Sequence, residues 1–286
     1  MRKLRLALLG LLLMAVPAAA QDPAGFCGTR DLDLETARWV EGMLKSLPRA
    51  ETKAVGSVRI PIAFHVVHQG PKGRVSDRQL GTLVKNLNVA FDNSPFSFEL
   101  ASISRTNNKT WANDCLSTHN EKNMKRRLAV DPKRTLNIYI CKTSPGNQGV
   151  LGYAYFPFMF PENSYMHGAV LHPITMPGSG DPQIGVHGLV TAHEIGHYLG
   201  LYHTFQGGCV APGDFVDDTP AQGWPTGTCR IGVDSCLAGA GNDDVKNFMN
   251  YTDDLCMDHF TPGQVQRMVE QTSALRPGIY RGRAPE

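Results

Sequence analysis

The sequence shows no clear excess of either charge: 28 Lys and Arg stand against 26 Asp and Glu, a formal +2. No basic run is interleaved with aromatics, so nothing argues for a nucleic-acid partner. Long apolar runs are missing as well. The longest, Leu6 to Val16, has about eleven residues and is too short to span a bilayer. It follows Arg2, Lys3 and Arg5 and precedes Ala18, Ala19 and Ala20. That order reads as a signal peptide over residues 1–20 with cleavage before Gln21, a membrane anchor being the alternative. The expected protein is exported (extracellular or periplasmic), off the membrane and monomeric. Internal repeats and low-complexity linkers are absent too, which excludes solenoids and tandem arrays.

What remains is an ordinary globular composition, 42% hydrophobic. About 265 residues follow the leader, enough for a short extension and one domain of roughly 200 residues. Residues 21–57 read as the extension, with helical periodicity at Leu34, Ala37, Val40 and Leu44, and residues 58–286 as the domain. The domain opens on the strand-like run Val58 to His68, in which Pro61 implies an edge position or a bulge. A helix from Ser76 presents Leu80, Leu83, Val84, Leu87 and Phe91 on one face. Strands are expected at Phe96 to Ile103, Thr135 to Cys141, Gly149 to Phe156 and Gly168 to His172. A short basic helix runs from Asn120 to Leu128, with Lys125, Arg126 and Arg127 as a solvated face. Beyond His203 the chain is rich in Gly, Pro and Asp until a last helix from Pro262 to about Ala274. This order reads as α+β, with a cleft between a sheet lobe and an irregular lobe. Seven cysteines in an exported chain imply disulfides, and the odd number leaves at least one thiol without an intramolecular partner.

One stretch organises the rest, His193-Glu-Ile-Gly-His-Tyr-Leu-Gly-Leu-Tyr-His203. On a helix, His193 and His197 project from one face and can share a metal. Glu194 can reach a water on that metal without ligating it. Gly200 stands where the helix must stop and the chain swing back, bringing His203 round as a third nitrogen ligand. Three ligands leave one tetrahedral position open, as a catalytic zinc needs. Histidines on an amphipathic helix are usually surface or core residues, but the long pattern is far more specific than its first half. The spacing points to a zinc-dependent hydrolytic site.

With that motif in view, the chain resembles the metzincin metallopeptidases, and Asn247 to Tyr251 resembles their Met-turn, with Met249 beneath the metal. His203 to Cys209, Gly213 to Pro220, Asp234 to Cys236 and Phe260 to Gln264 resemble the pappalysin family within them. The resemblance implies a metzincin-like fold with a mixed sheet lobe, a disulfide-stapled lower lobe and a cleft between. It implies a secreted zinc endopeptidase acting on proteins or peptides, with Glu194 as general base and Tyr251 near the oxyanion. An inactive homologue serving as a binding module is the alternative, against which Glu194 speaks.

The same resemblance implies calcium near Asp214, Asp217, Asp218 and Thr219, although surface carboxylates are more often solvated. It makes the Gly149 to Tyr155 strand the edge that pairs with extended substrate. Asp253, Asp254 and Asp258, after the Met-turn, make a basic side chain in the substrate plausible, unless they face solvent. Four late cysteines allow three pairings, and the family selects Cys209–Cys236 with Cys229–Cys256, leaving Cys115–Cys141 as a third bridge. Cys27 is then left over. It could be incidental or pair between chains, but a thiolate also suits the open zinc position, and the family carries a Cys-Gly latency motif here. The expectation is that Cys27 caps zinc in a zymogen until cleavage between about Arg49 and Arg59.

Overall fold

The run Val58–His68 forms β1, which is nearly all buried because it has neighbours on both sides. It pairs in parallel with β2 (Phe96–Asn107) and with β3 (Leu136–Ile140). Parallel strands covered on both faces read as continuous apolar runs rather than alternations. The computed structural model describes residues 27–47, 56–143, 149–239 and 241–280. The expected leader and the basic positions Arg49 and Lys53 lie outside the described residues. The sheet order is β2-β1-β3-β5-β4, where β4 (Gly152–Ala154) runs antiparallel to β5 (Ala169–Leu171) and ends the sheet.

Pro61 lies in a strand inside the sheet, so of the edge or the bulge that the sequence allowed, the structure shows the bulge. Its missing N–H is tolerated because β3 pairing begins only at Ile62, and the β2 register shifts between Ile62 and Ala63. The bulge was foreseen, and locally β1 has one neighbour at that point.

Ahead of the sheet, α1 (Leu34–Lys45) starts on Asp33, whose carboxylate accepts the Thr36 N–H. Next, α2 (Asp77–Ala90) starts on a capping box between Ser76 and Gln79 and buries Leu80, Leu83, Val84 and Leu87 against the sheet. A short α3 (Lys109–Asn113) was not expected from the sequence. It precedes α4 (Thr118–Leu128). All of α5 (Val190–Leu199) is buried. The last helix, α6 (Pro262–Leu275), begins on a capping box of Thr261 and Gln264 and shares the core with α5 through Val265, Met268 and Val269.

The basic face expected on α4 is split. Arg126 and Arg127 are exposed, but Lys125 is fully buried. One helical turn separates it from Glu121, and Nζ lies 2.9 Å from Glu121 Oε1 and 2.9 Å from the Met166 carbonyl. The rings of Tyr155, Tyr153 and Tyr139 surround the ammonium at 4.8, 5.4 and 5.6 Å. Burial lowers the Lys125 pKa while Glu121 works against that shift. A flexible four-carbon stem let a residue of a polar run reach an aromatic cage, which a charge count does not reveal.

Between Phe205 and Thr261 regular structure nearly vanishes, and crosslinks take its place. Cys209–Cys236 and Cys229–Cys256 cross in this lobe, and Cys115–Cys141 ties the α4 approach to the end of β3. Each such bridge typically contributes about 2–4 kcal/mol. Cys27 is the free, buried cysteine.

Lys125→Ala should lower stability by about 3–5 kcal/mol, because it leaves the Glu121 carboxylate buried without its cation. Equilibrium urea unfolding under oxidising conditions measures this, and a change below about 1 kcal/mol would refute the role given to the pair.

Candidate metal centre

Helix α5 carries His193, Glu194 and His197 on adjoining turns. No side chain of its own caps its start. Asp254 does so from across the molecule, its carboxylate accepting the His187, Gly188 and Leu189 N–H groups at 2.8, 2.8 and 3.0 Å. The helix ends at Gly200, where φ is 110° and a Cβ would stand 2.6 Å from Gln271. Only glycine meets both conditions, and the turn it makes delivers His203.

The three imidazoles converge through Nε2. The His197 nitrogen lies 3.1 Å from that of His193 and 3.0 Å from that of His203. Each Nδ1 is engaged elsewhere: His193 donates to the Phe248 carbonyl at 2.7 Å and His197 to the Leu201 carbonyl at 2.8 Å. His203 Nδ1 meets Asp31 Oδ1 at 2.6 Å. Acceptors of this kind place the proton on Nδ1 and leave three Nε2 lone pairs facing one point. Burial holds His193 down to about 3 and His197 lower than usual as well. Neutral nitrogens gathered at this spacing fit a divalent cation such as zinc. Cys27 Sγ joins them, so that one ligand atom from each of Cys27, His193, His197 and His203 lies within 4.8 Å of the others.

The expected Met-turn residue, Met249, packs against the helix that carries the first two histidines. A Cβ on Gly196 would lie 2.4 Å from the Met249 sulfur, so the glycine lets that side chain reach the helix. Asn247 accepts the Met249 N–H at 2.9 Å and ties the turn to Gln264 of α6. The Tyr251 hydroxyl lies 3.2 Å from His203 Nε2, on the metal side of that ring. Phe205 stacks on His203 at 4.7 Å with 8° between planes.

Glu194 is fully buried, and that burial pushes its carboxyl up to about 8. Its Oε2 receives the Cys27 thiol at 3.6 Å, while Oε1 has no hydrogen-bond partner. Gly152 backs directly onto it, for a Cβ there would stand 2.9 Å from Glu194 Cγ.

An extended segment closes the site. Cys27 bridges Gly152 in parallel, and the Gly28 N–H donates to the Gly152 carbonyl at 2.7 Å. The Thr29 hydroxyl accepts the Ala154 N–H at 2.9 Å and donates to its carbonyl at 3.0 Å. Cys27, Thr29 and Asp31 alternate along the chain, so all three face the cluster.

Other expected residues separate. Thr219 Oγ1 donates to Asp214 Oδ1 at 2.7 Å, and Asp214 Oδ2 is buried with no hydrogen bond. Burial pushes the Asp214 carboxyl up to about 7. Asp217 is exposed, and Asp218 caps α6 instead, accepting from Thr261 Oγ1 at 2.6 Å and the Gly263 N–H at 2.8 Å. Among the acids after the Met-turn, Asp254 caps α5 and Asp258 pairs with Lys246. Sequence reasoning missed Thr29, Asp31, Phe205 and the cap made by Asp254. The alternation of Cys27, Thr29 and Asp31 was the one signal available.

A family model described as pregnancy-associated plasma protein-A (Peptidase_M43) matches residues 118–273. An extracellular metalloprotease of Arthroderma benhamiae is 38% identical over 227 residues, covering 78% of this chain and 74% of its own. One from Pyricularia oryzae is 34% identical over 282 residues, covering 95% and 96%. Among solved structures, a promirolysin mutant of Tannerella forsythia superposes with a TM-score of 0.72 at 28% identity, over 90% of this chain and 96% of its own. Mature mirolysin in complex with a cleaved peptide gives 0.66 at 29% identity, over 79% and 96%.

His259 supplies a pH test of the Met-turn's support. Its carbonyl accepts the Phe248 N–H, and its ring meets Asp244 at 2.9 Å and Asp258 at 2.6 Å. The Asp244 hydrogen bond foremost, then Asp258, raises its pKa to about 9. A folded pKa above the unfolded value of about 6.5 gives stability that is complete below that pH and lost as pH rises through about 9. The melting temperature of His259→Gln should therefore fall furthest below the parent's near pH 6 and converge on it by about pH 10. A gap that widened with pH would contradict the pairing.

Proposed function

The chain belongs to the pappalysin (Peptidase_M43) family and is a zinc metalloendopeptidase, and we propose that His193, His197, His203 and Glu194 carry that activity. The observation behind this reading is the convergence of three buried Nε2 atoms, with Glu194 on the same helix turn. The three imidazoles would hold the zinc, which when bound would supply Lewis acidity toward a water and the scissile carbonyl. Glu194 takes the proton of the attacking water and passes it to the leaving amine. The Tyr251 hydroxyl, on the metal side of His203, donates to the developing oxyanion. Extended protein or peptide substrate pairs with the edge of β4 that residues 27–29 cover here, where Gly152 lies against Glu194.

The enzyme is made as a zymogen, with residues 21–57 as its pro-segment. Cys27 occupies the position that water takes in the active form, and Thr29 occupies the β4 edge that substrate takes. Its proximity to His197 and Glu194, 3.6 Å in each case, supports the cap over a stray or intermolecular thiol. The protein is exported and acts outside the cell or in the periplasm. Its relatives are named extracellular metalloproteases, and no helix among the described residues is long and apolar enough to cross a membrane. A calcium ion is proposed at Asp214 and Thr219, where the orphaned Asp214 Oδ2 offers a hard ligand. Asp218 joins that set only by giving up its cap on α6. The intact Glu194 stands against an inactive binding module.

Glu194→Gln should keep zinc and the fold while casein hydrolysis falls by a factor on the order of 10²–10⁴ or more. Parental cleavage by that variant with zinc bound would remove Glu194 from the mechanism. In the uncut Glu194→Gln protein, Cys27→Ala should raise affinity for a zinc-directed hydroxamate. Equal affinity with and without the thiol would rule out the cap.

A further inference from the structure

Two of the three imidazoles take their orientation from the domain's own backbone, at Phe248 and Leu201. The third does not. His203 Nδ1 meets a carboxylate, that of Asp31, in the segment preceding the domain. Stacking on Phe205 sets the plane of the His203 ring but leaves its rotation within that plane free. We infer that Asp31 is the positioning residue of the third ligand, so that the leading segment strengthens metal retention as well as covering the metal. The inference rests on the reading of His203 as a zinc ligand and of residues 21–57 as a removable pro-segment.

The place of Asp31 is fixed from both sides. Upstream, Gly28 and Thr29 are hydrogen-bonded to β4. Downstream, α1 is docked by Glu41, whose buried carboxylate meets Arg267 at 2.6 and 3.1 Å and the Tyr202 hydroxyl at 3.0 Å. Arg267 in turn donates to the Gly200 carbonyl at 3.0 Å, at the turn that delivers His203. The Asp31 side chain is 39% exposed, yet its Oδ1 stays against the ring. A carboxylate on the outer nitrogen of a ligating histidine fixes the tautomer and makes the inner nitrogen more basic, and losing such a partner costs about 10–100-fold in metal affinity. A backbone carbonyl orients the ring but brings no charge. The latent chain thus holds zinc with one more favourable contact than the processed enzyme, whose His203 Nδ1 loses that carboxylate.

The test uses the full-length Glu194→Gln chain, which should stay uncut, with Cys27→Ser added so that the thiolate does not mask the change. Zinc affinity is read by competition with a chelating dye, and the mass of each protein verifies that the segment is attached. Asp31→Ala should weaken zinc binding by about tenfold or more. Asp31→Asn, whose amide oxygen still accepts the Nδ1 proton, should recover part of the loss. Asp33→Ala removes the α1 cap two residues on without touching His203, and should leave zinc affinity within twofold of the parent. Parental affinity in Asp31→Ala overturns the inference while leaving the zinc site intact. So does an equal loss in Asp33→Ala, which would mean that general docking of the segment is responsible. Failure of the parent itself to bind zinc overturns the reading of the three histidines, and this inference with it.

Discussion

Three imidazole nitrogens, that of His197 lying 3.1 and 3.0 Å from the other two, with each lone pair aimed at the same point, are the constraint on which the rest of this molecule depends. Without a cation such a cluster is a repulsive arrangement in a dry interior, so the fold must impose it. The outer nitrogens are fastened first, to the Met-turn carbonyl at Phe248, to the Leu201 carbonyl and to Asp31. The helix carrying two of the rings is fixed at its start by Asp254 and released at its end by Gly200. Glycine at 196 admits the Met249 sulfur beneath it. Several of these supports come from the irregular lobe, where the crossed disulfides stand in for a periodic core.

Much of this was legible in the residues because several demands met at single positions. The long histidine motif sets two imidazoles by helical period and a third by the glycine turn, and the structure gathers the three rings around one point. The parallel strands were readable from a strand-like run at Val58 to His68 and from alternation at Phe96 to Ile103 and Thr135 to Cys141. What escaped the sequence depended on distance along the chain. Asp254 capping a helix about sixty residues earlier leaves no local pattern, and neither does Asp218 capping α6. Lys125 looked solvated because its neighbours in sequence are solvated, whereas its neighbours in space are three tyrosines and a glutamate. At Pro61 the sequence allowed an edge or a bulge, and the structure takes the bulge.

The segment at 27–31 shows how little chain is needed to close a site. Three alternating side chains, a thiol, a hydroxyl and a carboxylate, meet a metal-facing nitrogen, a strand edge and an outer ring nitrogen. The hydrophobic contribution is small, since only Cys27 joins Phe205 and Tyr251 in a minor cluster. The anchorage lies further along, in the buried contact between Glu41 and Arg267. Blocking and holding are thus separated by about ten residues, so the blocking residues can be chosen for chemistry rather than for grip.

The Thr29 hydroxyl takes both the N–H and the carbonyl of Ala154, and Gly28 takes the carbonyl of Gly152. While they do so, the last strand of the sheet presents few unsatisfied groups to its surroundings. An open strand end is a template on which any extended polypeptide can add itself, including another copy of the same chain. The segment that covers the histidine cluster therefore also covers that template.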